Sequence, residues 1–499
     1  MSSTSRSDWS ALEERLSLEL EAWSAARMTA KFWWRDDDAI SDTPQLRRLL
    51  DVARDVGIAP ALAVIPERVD QTLARALAAA DCAVWQHGWG HHFHEAGEFG
   101  DGRPLHEMMV DALKGRRALD GLFGASRWQR VFVPPNHMLS MLFKAVMPGL
   151  EYLGVSAGDP LTLGIEHVAE VNAEVDVMDW PRGTLLSGEA VSAMLVRQLE
   201  ARRRGAVPAK RPIGVLTHHL AFDDRAWDLV AALFRLIRSH RAVEVLRADT
   251  LFAARSSGPA SRGPANVTVV ITSCGRQDLL ERTLDSFFKH NTYPIREFIV
   301  KEDGDGTKNQ ALEARYRQHR LKWLSTGRRI GQIAAIDKAY AAVETEYIFH
   351  CEDDWEFYAP GFIEKSLAVL TANEHILQVY IRALADTNNH PVMDHVFLAG
   401  GVPYRLLQPG FHSAEWGTWH GFSFNPGLRR RRDYVALGSF GAFNPRREKK
   451  SYEVEREISE HYLRRGLLAA ILADNDGKGY VRHIGWGRRV GEPEADQSK

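Results

Sequence analysis

Short apolar runs alternate with helical stretches along this chain, and one soft segment breaks the alternation near the middle. In the first half the strand candidates are Lys31–Trp34, Ala59–Ile65, Cys82–Trp85, Val131–Val133, Tyr152–Val155, Ile213–Leu216 and Val243–Leu246. Helical stretches such as Gln45–Val56, Thr72–Ala80 and Ala226–His240 lie between them, and an amphipathic stretch spans 8–30. Parallel strands need a crossover, usually a helix, so this alternation predicts a parallel α/β architecture, closed or partly closed. The break is Arg255-Ser-Ser-Gly-Pro-Ala-Ser-Arg-Gly-Pro-Ala265, small, polar and punctuated by Gly and Pro. A second alternation follows at once: strand 267–272, helix 277–290, strand 296–301, helix 331–343 and strand 346–351. A chain of 499 residues exceeds one ordinary core. The expectation is two α/β units, 1–254 and 266–499, with a linker at 255–265.

Charge and cysteine content narrow the setting. The net charge is −2, which gives no electrostatic case for nucleic acid. Cys82, Cys274 and Cys351 are too few and too scattered for a disulfide framework, which favours a reducing cytosol. Met1 to Trp9 is polar and unlike a signal peptide. No apolar run approaches the roughly 18 residues of a membrane span, so a cytoplasmic protein without a transmembrane segment is expected.

The first half carries Arg35-Asp36-Asp37-Asp38, His87-Gly-Trp-Gly-His91 and His218-His219, each after a strand candidate. Histidines four apart can converge on one cation, and two histidines with one aspartate leave positions open for water and substrate. A second carboxylate could take a proton, and His218 or His219 could protonate a leaving amine. On these motifs, residues 30–250 resemble the polysaccharide deacetylase (NodB-homology) family. The paired aspartates match Asp37-Asp38, with Ala39 where glycine is usual; the H-[ST]-x-x-H motif matches His87 to His91, with Gly88 for the hydroxyl residue. Leu216-Thr-His-His219 matches the late leucine-histidine motif. The resemblance implies a distorted (β/α) barrel using zinc or a similar divalent metal. It implies Asp37 as base, Asp38, His87 and His91 as ligands, and His218 or His219 as acid, with Asp36 leaving the register open by one. The family's arginine, which orients the base, has valine near its place in Phe132-Val-Pro-Pro-Asn-His137.

In the second half, Val267 to Ile271 runs into Thr272 and Ser273, a strand end where backbone and hydroxyl groups can meet a nucleotide. Glu302 and Asp303 end the next strand and can hydrogen-bond a base or ribose. Glu352-Asp353-Asp354 ends a third, and carboxylates two apart there can bind Mg or Mn, which neutralises a diphosphate leaving group. Residues 266–490 resemble family 2 glycosyltransferases of the GT-A fold, an α/β sandwich that binds nucleotide-sugars. The opening strand matches Val267 to Arg276, D-D-G-S matches Glu302-Asp303-Gly304-Asp305, and D-x-D matches Glu352-x-Asp354. The resemblance implies a donor site of Thr272, Ser273, Arg276, Glu302, Asp303 and Asp353, with Glu352 and Asp354 on the metal. For the base it offers Glu453 and Glu455, with Glu415 as rival; His483 is a candidate late ligand. Arg429 to Arg432 reads as a solvated face.

Together these motifs predict a bifunctional glycan-modifying enzyme: a metal-dependent N-deacetylase of a sugar joined to an inverting glycosyltransferase. Its partners would be a nucleotide-sugar donor and a glycan or glycoconjugate acceptor. The alternatives are a transferase with a catalytically degraded, carbohydrate-binding barrel, and a scaffold with neither activity.

Overall fold

The computed structural model describes residues 3–92, 97–124, 126–158, 168–252, 267–414 and 417–486, with side chains from Glu13 onward. Glu415 and the segment 255–265 lie outside the described residues. The chain divides into two compact units, Met1–Ser257 and Gly258–Lys499.

The first unit is built on an all-parallel sheet of nine strands among the described residues. Ala169–Glu170, Gly154–Val155, Val131–Val133, Ala83–His87, Ala61–Val64, Ala30–Ala39, Ile213–Thr217 and Val175–Asp176 lie side by side in that order, and Val243–Val245 also pairs with Ala30–Ala39. The sheet is a parallel half-barrel. Its inner face packs Trp33, Trp85 and Phe252 over the small residues Ala61, Ala63 and Ala83. Its outer face buries Phe32, Trp34, Leu62 and Val84 against helices such as Pro44–Val56 and Asp224–Ser239. Local chemistry sets those helices: Thr43 and Asp223 cap their N-termini, and Gly57 ends the first with φ 69°. The opening helix spans Ser3–Ala25, rather than 8–30.

One strand departs from expectation in a way that builds the site. Ala30–Ala39 continues through all three aspartates instead of ending near Trp34. Buried carboxylates survive there because each finds partners. Alternation puts Asp36 on the outer face with Trp34, away from Arg35 and Asp37. Asp36 accepts from Thr217 Oγ1 at 2.6 Å, His219 Nδ1 at 2.5 Å and the His219 backbone N–H at 3.1 Å. The carboxylate therefore staples the strand to its neighbour Ile213–Thr217. The register then shifts between Asp36 and Ala39, and Asp38 adopts φ 71°.

The second unit is a mixed sheet of nine strands among the described residues. Its order is Lys322–Ser325, Glu297–Glu302, Val267–Ser273, Tyr347–Glu352, Gly427–Arg430, Ile376–Tyr380, Leu468–Leu472, Val402–Leu406 and Phe397–Ala399. The first four are parallel, and Gly427–Arg430 runs antiparallel to both its neighbours. Val267–Ser273 is buried along its whole length, as its apolar run predicts. The arginine run is not a solvated face. Arg429 and Arg430 are buried because they end an interior strand. Arg430 donates to the carbonyls of Ile376 and Asn373 at 2.6 and 2.9 Å, and to that of Leu370, closing the C-terminus of helix Phe362–Ala372.

Removing Asp36 strands a buried histidine, so Asp36→Ala costs about 3 kcal/mol. Burial disfavours the His219 cation, but the Asp36 carboxylate outweighs it and His219 titrates above its usual range. The pair's contribution is therefore full below about pH 6.5 and is lost as pH rises through the raised value. Thermal unfolding of both proteins at about pH 6 and about pH 9 checks this. Equal midpoints at the lower pH would show that the staple carries no stability.

Candidate active sites

In the first unit, Asp38, His87 and His91 each offer a ligand atom, all within 4.8 Å of one another. Among the described residues this is the one such group of three. His87 Nδ1 donates to the Val133 carbonyl at 3.0 Å, which turns Nε2 toward Asp38 Oδ1 at 3.4 Å and makes it the nitrogen a cation would meet. His91 Nε2 lies 3.8 Å from the same oxygen. Asp38 Oδ1 is buried without a hydrogen-bond partner. A carboxylate oxygen facing two imidazole nitrogens is a donor set that fits zinc or a similar divalent ion. Burial would raise the Asp38 pKa, but His87 and His218 hold it well below the carboxylate range.

The loop between the two histidines is held by Glu98, which is fully buried. Its carboxylate accepts from the N–H groups of Trp89, Gly90 and His91 at 3.2, 2.8 and 3.3 Å. A Cβ on Gly88 would sit 2.4 Å from Glu98, and the residue has φ 53°. Glu98 and Pro135 thus leave no room for a side chain at residue 88.

Asp37 faces inward with Arg35, two positions earlier on the same strand. Arg35 Nε and Nη2 donate to its two oxygens at 2.8 and 3.1 Å, while Nη1 reaches Ser156 Oγ and the carbonyls of Ser156 and Ala157. Burial would raise the Asp37 pKa; the Arg35 guanidinium, with His87 and His218, holds it low. A guanidinium therefore faces Asp37 although residue 133 is valine. Alternation was the signal that could have found it: residues two apart share a strand face. His218 Nδ1 lies 3.8 Å from Asp176 Oδ1, with the Trp180 ring edge-on at 4.5 Å. Its neighbour His219 is fully buried on Asp36. The structure thus brings Asp37, Asp38, His87, His91 and His218 together and holds Asp36 and His219 apart. His137 joins the first group; burial and the Arg35 charge push its pKa down to about 4.

In the second unit, Thr272, Ser273, Arg276, Asp303, Glu352 and Asp353 line one cavity of about 330 Å³. Arg276 bridges two of the acids: it pairs with Asp353, and its Nη1 lies 2.9 Å from Asp354 Oδ2. Burial still raises the Asp353 pKa to about 6. Asp354 stays below the usual range against burial, held by His483 at 3.3 Å and by Arg276. Its Oδ1 is buried without a hydrogen-bond partner. Glu352, on the same cavity, accepts from Gln332 Nε2 at 2.6 Å, and burial pushes its pKa well up. Glu302 accepts from the Gly275 N–H at 2.8 Å, and Asp303 from Ile330 and Gly331 N–H at 2.7 and 2.9 Å, so both brace the loops around the cavity.

The candidate bases separate cleanly. Glu453 accepts from the Lys450 N–H at 2.7 Å and caps its own helix, Ser451–Leu463. Glu455 faces a cavity of about 200 Å³ shared with Tyr380, Arg382, Trp419 and Tyr452. Burial pushes its pKa up to about 7, opposed by the Phe424 N–H and by Arg429.

Residues 268–438 match the family model for glycosyl transferase family 2. The matched residues lie within the second unit. No curated protein matches the chain. Solved structures similar to it include a family 4 carbohydrate esterase from Streptomyces lividans in complex with acetate, 15% identical over 43% of this chain and 91% of that one, with a TM-score of 0.30. Another is a mannosyltransferase from Pyrobaculum calidifontis in complex with GDP-Man and Mn²⁺, 17% identical over 44% of this chain and 61% of that one, TM-score 0.31. A CE4 family pseudoenzyme from Bacillus anthracis is 13% identical over 45% of this chain and 66% of that one, also with a TM-score of 0.31.

Elemental analysis of the purified protein should find about one zinc-like ion per chain, lost in His87→Ala. Metal retained at the wild-type level in that variant would mean another ligand set holds it.

Proposed function

We propose that the chain is a two-site glycan-modifying enzyme, with a metal-dependent N-deacetylase in its first unit and an inverting glycosyltransferase in its second. The observation that carries the first half of this reading is a pair of neighbouring carboxylates with different partners. Asp38 faces two histidines, and Asp37 is clamped by Arg35. A divalent metal ion held by Asp38, His87 and His91 would supply Lewis acidity toward an amide carbonyl. Asp37, ionised and oriented by Arg35, takes the proton of the attacking water. His218, beside Asp176, protonates the departing amine. An N-acetylated sugar is the substrate class that suits this chemistry.

In the second unit, the family 2 segment and the position of Glu455 support transfer from a nucleotide-diphospho-sugar to a glycan or glycoconjugate. The donor lies along Thr272, Ser273, Arg276, Glu302, Asp303 and Asp353. Mg or Mn at Asp354, with Glu352 two residues earlier, would neutralise the diphosphate. Glu455 deprotonates the acceptor hydroxyl; a carboxyl that titrates near neutrality suits a base at physiological pH. The three cysteines are free thiols, which supports a cytoplasmic setting. No helix among the described residues is long and apolar enough to cross a membrane.

Asp37→Asn should slow release of acetate from N-acetylated sugars by about 10²–10⁴-fold while the metal stays bound. An unchanged rate would remove Asp37 from the reaction. Glu455→Gln should slow sugar transfer by a similar factor with donor binding intact. Because the base acts ionised, the wild-type transfer rate should rise as pH passes about 7; a flat profile there would point to another base.

A further inference from the structure

Arg429 is a buried cation without a counter-charge in contact. It sits in the interior strand Gly427–Arg430, directly opposite Gln378 on one side and Ile348 on the other. Alternation sends it to the face opposite Arg430, so helix capping does not account for it. It is 2% exposed. Its guanidinium lies 5.2 Å from the centre of the Phe422 ring, and Nη2 donates to the Ser423 carbonyl at 3.1 Å. Nε and Nη1 are buried without a hydrogen-bond partner. A guanidinium removed from water needs a negative charge nearby to be tolerated.

The chain supplies one across a single peptide. Ser423, which Arg429 grips, precedes Phe424, whose N–H points at Glu455 Oε1 at 3.5 Å. Ser423 and Glu455 line the same cavity. The other titratable groups facing Glu455 are Glu352 from the central strand and Tyr380, Arg382, His390, Tyr452 and Arg456 on the cavity wall. Glu352 is of like charge, and Arg382 already pairs with Asp386 at 2.6 Å. His390 is kept neutral by burial, its pKa pushed down to about 4. Arg456 stands one residue along the helix at the cavity wall. Arg429, inside the sheet, stands across the Ser423–Phe424 peptide from this carboxylate.

We propose that Arg429 is a positioning residue for sugar transfer, a fixed positive charge behind Glu455 that keeps this carboxylate ionised and turned toward the cavity. The proposal rests on the transferase reading of this site. In the full-length protein labelled with ¹³C-carboxyl glutamate, the Glu455 signal is assigned by its loss in Glu455→Gln and titrated by NMR. The wild-type midpoint is expected near 7. Arg429→Met should raise it by about one pH unit, and Arg429→Lys, which keeps the charge, should restore it. An identical midpoint in wild type and Arg429→Met overturns the proposal. If Arg429→Met does not fold, thermal unfolding of Arg429→Gln, Glu455→Gln and the double variant decides: coupling supports the pair, and additivity overturns it. Nucleoside diphosphate release from a panel of nucleotide-sugars is followed in parallel. Its absence in the wild type would sink the transfer reading and leave the titration result standing.

Discussion

Carboxylates buried at the ends of parallel strands cannot stay charged alone, and both units are organised around the groups that hold them. Taking an ion out of water costs several kcal/mol unless a partner and hydrogen bonds offset it. In the first unit Arg35 forks onto Asp37, and in the second Arg276 bridges Asp353 and Asp354. Each arginine is anchored on the same strand or the turn after a neighbouring one, so the clamp forms as the sheet forms. The consequence is a row of acids that are neighbours in sequence but have different partners, and in the second unit shift in opposite directions.

That difference is what makes chemistry available. Asp37 and Asp38 are both held in the ionised form, but one faces a guanidinium and the other two imidazoles. In the proposed reaction the first would handle a proton and the second would hold a cation. In the second unit the contrast runs the other way. Glu352 and Glu455 are pushed upward by burial, while Asp354 is held down by His483 and Arg276. Environment, not residue type, divides the roles.

The motif expansions in the first unit have one structural explanation. An aspartate precedes the expected pair and two histidines stand where one is expected, and Asp36 and His219 bond to each other on the outer face of the sheet. Their adjacency to the site residues in sequence hid this separate pairing. Likewise Gly88 and Val133 depart from the motifs expected from the sequence, yet Glu98 organises the histidine loop and Arg35 reaches the aspartate from within its own strand. Glu98 lay among residues with no motif of their own, and nothing local singled it out.

Much of the architecture was legible in the chain because it is local. Apolar runs and helical periodicity located Val131–Val133 and helix 277–290 to the residue, and most other elements within one or two. They also placed acids and histidines at strand ends, where α/β folds gather function. What the chain could not decide was which aspartate, which histidine and which glutamate faces the cavity. Those choices turn on a register shift between Asp36 and Ala39, and on partners far away in sequence, such as Ser156 for Arg35 and Phe424 for Glu455. The arginine run shows the same limit: four equal letters become a buried cation, a helix cap, a half-buried residue and an exposed one only when strand and helix meet at Arg430. Sequence periodicity fixes which elements form; burial and the partners it brings fix what each charged side chain can do.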